Sequence, residues 1–331
     1  MNDISRRAWL GEIAALTGVT GLLRAQHEVQ TEARRGTTPL LDDLRFQRGL
    51  RVWQPAPGKK IESGTIKPAA GVGELVWGLS QWYSHFNLAG ARLELLASGS
   101  SFFSDPGMAV TFGVTGSPEC DLILSLNGRA EYGDRAPAPG EAWPHLLVEQ
   151  SLRRHPYLKD LRALPFQISY RLLKSQAFHF PGWDPRRHTA QLQFYVTVEN
   201  GNGLSSGFGD YLWFDVPMYD ARYRLSPPHE EVDFSTPQKK GTGKFIFNPG
   251  GTRYTTHSAN DGKWVTIDKD LLPLINEGLT TAWHAGFLQG SHDPADYRLG
   301  EVNLGWEVTG PLNVAMQIRG LRFDAVMESG T

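Results

Sequence analysis

The chain has 331 residues, 40% of them hydrophobic and 21% charged, with a formal net charge of −2. That balance is ordinary for a soluble globular protein and leaves no basic footprint for nucleic acid. A single cysteine, Cys120, excludes an intrachain disulfide.

The N-terminus carries Ser5-Arg6-Arg7-Ala8-Trp9-Leu10, an apolar run over 13–23, and then Leu23-Arg24-Ala25. Paired arginines followed by an aromatic residue and leucine resemble a twin-arginine export signal, with cleavage expected after Ala25. The competing reading is an N-terminal cytoplasmic helix. The apolar run is too short to anchor the mature protein in a membrane. Removing 1–25 leaves 30 basic and 33 acidic residues, a charge of −3. The expected location is the periplasm or the cell exterior.

Residues 26–50 are polar and mixed in charge, and read as a linker followed by a short helix around 40–50. From Val52 onward, turn residues recur at short intervals between runs rich in Val, Ile, Phe, Tyr and Trp. That pattern predicts a single all-β domain over 51–326, a two-sheet antiparallel β-sandwich. Expected strands lie at 73–79, 93–97, 109–114, 121–126, 145–149, 165–173, 191–199, 211–216, 244–247, 264–268, 301–308 and 313–325. In the seventh, Leu192, Phe194, Val196 and Val198 share one face, and Gln193, Tyr195 and Thr197 the other. Gly320 marks an expected bulge in the last.

One segment, 270–288, breaks the two-residue period. Leu272, Ile275, Leu279 and Trp283 recur at helical spacing, Asp270 can cap, and Pro273 falls in the first turn. This predicts one amphipathic helix packed outside the sandwich.

The stretch Gly207-Phe-Gly-Asp-Tyr-Leu-Trp-Phe-Asp-Val-Pro217 carries the clearest functional signal. It reads as a strand entered from a glycine-rich turn and stopped by proline. Asp210, Leu212 and Phe214 point one way, and Tyr211, Trp213 and Asp215 the other, setting flat aromatics beside a carboxylate. A later strand, Val302-Asn-Leu-Gly-Trp-Glu-Val308, puts Asn303, Gly305 and Glu307 on its polar face, with Gly305 expected to leave room for a ligand. In His145-Leu-Leu-Val-Glu149, His145 and Glu149 share a face and could form an acid/base or ligand pair. Trp183 sits in a Pro-Gly turn that would present its indole at a loop tip. Two strands that each offer a carboxylate are the minimum for glycoside chemistry, and are equally compatible with sugar binding alone. Trp53, Trp77 and Trp306 read as core.

Other chemistry finds little support. The histidines form neither His-x-His nor His-Glu-x-x-His, and no calcium loop appears, so no metal or cofactor is expected. There is no Gly-x-Ser-x-Gly motif. The glycine-rich 201–209 lacks the following helix that a phosphate cradle needs.

The layout resembles a concanavalin-A-like jelly roll and, more narrowly, the family 12 glycoside hydrolases, over roughly 145–325. Gly209-Asp-Tyr-Leu-Trp-Phe-Asp215 stands where that family's nucleophile strand would be, and Gly305-Trp-Glu307-Val-Thr-Gly310 where its acid/base segment would be, with the helix between them. The resemblance implies Glu307 as acid/base and Asp210 or Asp215 as nucleophile or base. Here Asp210 departs from the family's glutamate. Glu149 is a further candidate, and Tyr211, Trp213, Trp183, Tyr195, Asn303 and His145 are candidate sugar contacts. The expectation is an exported monomer acting on a polysaccharide or oligosaccharide, with no nucleic-acid partner. The alternatives are a non-catalytic carbohydrate-binding protein and a structural envelope protein.

Overall fold

A computed structural model describes residues 37–236 and 239–328. The expected export signal lies outside the described residues. In chain order the strands are β1 (Thr37–Pro39), β2 (Leu50–Trp53), β3 (Glu62–Ile66), β4 (Trp77–Ser80), β5 (Glu94–Leu95), β6 (Ser101–Ser104), β7 (Met108–Phe112), β8 (Leu122–Asn127) and β9 (His145–Ser151). They continue with β10 (Leu161–Ala163), β11 (Pro165–Ala177), β12 (Ala190–Asn200), β13 (Tyr211–Asp220), β14 (His229–Val232), β15 (Phe245–Asn248), β16 (Val265–Asp270), β17 (Tyr297–Val308) and β18 (Leu312–Met327).

The strands form two nine-stranded sheets, the β-sandwich expected from the sequence. One runs β16-β11-β18-β8-β7-β6-β5, with β1 and β10 also paired to β18. The other runs β14-β15-β13-β12-β17-β9-β4-β2-β3. Most pairs are antiparallel; β13–β15 and β2–β4 are parallel.

Alternation builds the core between the sheets. Leu192, Phe194, Val196 and Val198 of β12 and Val302, Leu304, Trp306 and Val308 of β17 are all fully buried. They meet Phe166 and Phe323 of the opposite sheet, whose rings lie 4.6 and 5.8 Å from that of Phe194. Trp306 donates Nε1–H to the Leu124 carbonyl at 2.9 Å, crossing from one sheet to the other. Trp77 is core as expected. Trp53 is only half-buried and faces away, donating to Glu149 at 2.7 Å.

The expected helix forms as α2 (Leu272–His284), after a one-turn α1 (Gly128–Tyr132) that the pattern does not reveal. Asp270 accepts from the Leu272 amide at 3.0 Å. The helix packs on β13 and β15 and buries Leu274, Ile275, Gly278, Leu279 and Ala282, while Leu272 and Trp283 stay half-buried. A Cβ on Gly278 would stand 2.8 Å from the Phe247 ring, which explains a glycine in mid-helix. Among the described residues no helix is long and apolar enough to cross a membrane.

Three local expectations need correction. Residues 40–49 form turns rather than a helix: Asp43 and Phe46 take positive φ, and the Asp43 carboxylate accepts from the Gln47 and Arg48 amides. These residues also belong to the sandwich, because Leu40, Leu41 and Phe46 are buried in its core. Pro217 does not end its strand: β13 runs on to Asp220, with a register shift between the Leu192–Tyr219 and Gln193–Pro217 pairs. A bulge accommodates the proline and reverses the phase. Tyr219 therefore turns into the core against Trp306, while Asp220 pairs with Gln191 on the outer face.

Candidate active site

The outer face of the second sheet forms the floor of a cleft of about 520 Å³. Adjacent strands β9, β17, β12 and β13 supply that floor, and alternation decides which side chains enter it. Register sets Glu307 opposite His145 on one side and Gln191 on the other. It sets Tyr195 between Asn303 and Asp215. Glu307 and Asp215 are therefore two strands apart, about 10 Å across the sheet, and displaced by four residues along β12. Trp82, Tyr83, Trp143, Trp213 and Tyr223 wall the cleft.

Asp215 is completely buried. Its Oδ2 accepts from Gln193 Nε2 at 2.8 Å and from Asn248 Nδ2 at 2.6 Å. Both amides are oriented by second partners. Gln193 Oε1 accepts from the Tyr195 hydroxyl, and Asn248 Oδ1 from the Gly250 amide, each at 2.8 Å. Burial pushes the Asp215 carboxyl well above its ordinary range; the Gln193 and Asn248 hydrogen bonds pull it down by less, and the Glu307 charge raises it further. With Oδ2 occupied by two donors, Oδ1 is the oxygen left to carry a proton; it has no hydrogen-bond partner among the described residues.

Glu307 has the opposite environment. Burial acts to raise its carboxyl, but His145, Lys239 and Trp143 more than offset this, and it ends below its ordinary value. Trp143 donates Nε1–H to Oε2 at 3.1 Å, and His145 Nε2 stands 3.5 Å from the same oxygen. The Lys239 ammonium lies 4.1 Å above the Trp143 ring and 2.8 Å from Asp233. One floor thus carries two carboxyls, two strands and four residues apart, that their surroundings shift in opposite directions.

The other sequence candidates separate. Trp213, Tyr195, Asn303 and His145 line the cleft with Asp215 and Glu307. Tyr211 does not line it: the ring packs edge-on to Trp213 at 5.4 Å, under the Lys244 ammonium. Asp210 is held by Lys244 at 2.5 Å, outside the cleft, and is no partner for Glu307. Glu149 is buried and saturated by Trp53, Ser80 at 2.8 Å and Lys60 at 3.0 Å, and is not paired with His145. Trp183 is not at a loop tip in the cleft; it packs on the core between the rings of His179 and His188. Gly305 leaves no ligand space either. A Cβ there would meet the Leu146 carbonyl of β9 at 2.0 Å, so the glycine serves the approach of two strands.

Sequence reasoning missed Gln193, Asn248, Trp143 and Lys239, and noted Trp82 only as one of several aromatic residues. Gln193 was readable, since it shares a face with Tyr195. The other three reach the site from strand ends and loops, where alternation says nothing. Among the described residues no cluster of three or more His, Cys, Asp or Glu is placed to hold a metal.

Unmet hydrogen bonding also concentrates here. Of the seven buried side-chain polar atoms without a partner among the described residues, four belong to cleft residues: Trp82 Nε1, His145 Nδ1, Asp215 Oδ1 and Asn303 Oδ1.

No protein-family model matches the chain, and no curated protein matches it. Solved structures similar to it include family 12 glycoside hydrolases and family 11 xylanases. Endoglucanase cel12A from Rhodothermus marinus is 8% identical, with a TM-score of 0.36 over 72% of this chain and 97% of that one. A family 12 xyloglucanase from Bacillus licheniformis is 10% identical, with a TM-score of 0.40 over 76% and 100%. The family 11 xylanase from Neocallimastix patriciarum is 9% identical, with a TM-score of 0.35 over 70% and 94%. The likeness is one of architecture.

Proposed function

We propose that the protein is a glycoside hydrolase acting on a polysaccharide or oligosaccharide in this cleft. The observation that carries the reading is geometric: one aromatic-walled floor holds a carboxyl buried against two side-chain amides, Asp215, and a second beside an indole N–H and an imidazole, Glu307. Asp215 Oδ1–H would protonate the departing glycosidic oxygen. Glu307 would either attack the anomeric carbon, with water then releasing the sugar, or take a proton from an attacking water. These roles reverse those implied by the family resemblance, where Glu307 is the acid/base. Trp213, Trp82 and Trp143 supply flat faces for the apolar C–H sides of sugar rings.

A panel of β-linked glucans, xylans and mannans, scored for new reducing ends and for the anomer first released, tests this. Release of reducing ends supports hydrolysis, and the anomer separates the two roles of Glu307. Binding without release would favour the second reading, a carbohydrate-binding protein. One observation favours that reading: Asp215 is wholly shielded from solvent and fixed by two amides.

The proposed location is outside the cytoplasm, supported by Arg6-Arg7 and the apolar run that follows. Mass spectrometry of protein from its native host, with and without Arg6→Lys and Arg7→Lys, tests it. A mature N-terminus near residue 26 that depends on the arginines is expected; an intact cytoplasmic chain would contradict it.

A further inference from the structure

We infer that a hairpin arm roofs the Glu307 end of the cleft, and that the protein takes the free end of a sugar chain there rather than its interior. This rests on the glycoside reading above and names the part of a glycan that the cleft admits.

The arm is the connection between β14 and β15, and its own bonds brace it. The Gly243 amide donates to the Asp233 carbonyl at 2.9 Å, and the Thr236 amide to the Lys239 carbonyl at 2.7 Å. Between them the Gly241 amide donates to the Ser235 hydroxyl at 3.0 Å. At the root the Asp233 carboxylate accepts from the Thr242 amide at 2.7 Å, from its hydroxyl at 2.9 Å and from Lys239 at 2.8 Å.

Root and tip stand on opposite margins of the floor. β15 borders β13, whereas the tip docks on the loops that precede β9 and follow β4. Thr236 Oγ1 donates to the Gly140 carbonyl at 2.8 Å. The Tyr83 hydroxyl accepts from the Lys240 amide at 2.7 Å and donates to the Lys240 carbonyl at 3.3 Å. Tyr83 itself takes φ 59°, a left-handed backbone that is costly for a bulky residue and persists where surrounding contacts hold it.

Between β15 and β9 lie β13, β12 and β17, a span of about 19 Å along the sheet. Lys239, Lys240 and Thr242 line the same cavity as Asp215, Asn303 and Glu307, so the arm faces the floor across it. Beside Glu307, the Trp143 ring lies under the Lys239 ammonium, which is itself tied to Asp233. A chain interior can pass beneath an arm fixed at both ends only by threading, whereas a free end slides in. An open groove would admit a polymer anywhere along its length.

The test uses the full-length protein and the best glycan of the panel above, prepared as fractions of decreasing chain length at equal mass. Initial rate, dissociation constant by tryptophan fluorescence, and solution viscosity are followed. Rate and affinity per unit mass are expected to rise in proportion to the number of chain ends, with short products released and viscosity falling late. Tyr83→Phe combined with Thr236→Val keeps ring and bulk but removes the hydroxyls that dock the tip. That variant is expected to lose the dependence on chain ends and to lower viscosity early. In the parent, rates and affinities that follow mass alone, or an early fall in viscosity, overturn the roof and leave the hydrolase standing. An unchanged dependence on chain ends in the folded double variant also overturns it. The parent's chain-length dependence decides by itself should the variant fail to fold. Affinity that follows chain ends without cleavage overturns the hydrolase and leaves the roof. Neither binding nor cleavage of any fraction overturns both.

Discussion

Asp215 and Glu307 flank β12 on the floor of one cleft, and their partners are of opposite character. Asp215 meets two side-chain amides in a fully buried pocket, whereas Glu307 meets an indole N–H and an imidazole, with a lysine behind. The same functional group is thereby raised at one position and lowered at the other.

That asymmetry has a consequence for stability. In the unfolded chain Asp215 titrates near 3.8, whereas the folded protein retains its proton to higher pH. Over that window the folded state binds more protons, so stability falls as pH rises from about 4 until Asp215 itself ionises. Below about 4 both states are protonated and the penalty disappears. Asp215→Asn has no proton to lose, and its carbonyl can accept from both Gln193 and Asn248. Melting temperatures measured between pH 4 and 8 are expected to show the variant gaining on the parent as pH rises. A difference that stays flat would contradict the raised Asp215.

Two tryptophans on the strands either side of β12 should behave differently. Trp306 is fully buried and bridges the sheets through the Leu124 carbonyl. Trp306→Ala is expected to cost about 3–5 kcal/mol. Trp213 is half-buried and lines the cleft. Trp213→Ala should cost less than about 2 kcal/mol while markedly weakening glycan binding. Chemical denaturation and a binding titration check both; equal destabilisation by the two changes would place Trp213 in the core.

Gly305→Ala tests the corrected role of that glycine. The added Cβ would press on the Leu146 carbonyl, so β17 and β9 must separate beneath Glu307. A loss of at least about 2 kcal/mol is expected by denaturation. A variant as stable as its parent would show that the strands have room after all.

The sandwich was legible because both of its long central strands alternate without a break. Leu192 to Val198 and Val302 to Val308 could face the core in only one way, and Gln193, Tyr195, Asn303 and Glu307 then had to face outward. The six strands that went unread are short, and several are polar or near sheet edges, such as Glu62-Ser-Gly-Thr-Ile66 and His229-Glu-Glu-Val232. Asp215 was legible as a cleft residue, but not as a carboxyl raised by burial. Its complete burial is a product of packing across the fold, and Asn248, brought in from 33 residues away by the parallel pairing of β15 with β13, only pulls it back. The error at Pro217 had a local cause: a bulge let the strand continue, and sequence patterns do not announce bulges at proline. Trp183 and Asp210 sat beside suggestive neighbours, but packing turned one onto the core and a lysine claimed the other.

The most direct measurement compares turnover and ligand affinity of Glu307→Gln with the parent on the best substrate from the glycan panel. Glutamine keeps the shape and a hydrogen-bonding oxygen for Trp143 but can neither attack the anomeric carbon nor accept a proton. Turnover is expected to fall by roughly two or more orders of magnitude, with the dissociation constant changed only a few-fold and the melting temperature nearly unchanged. Unchanged turnover by the variant, or a parent that binds the glycan and never cleaves it, would contradict the assignment of Glu307 as the working carboxylate.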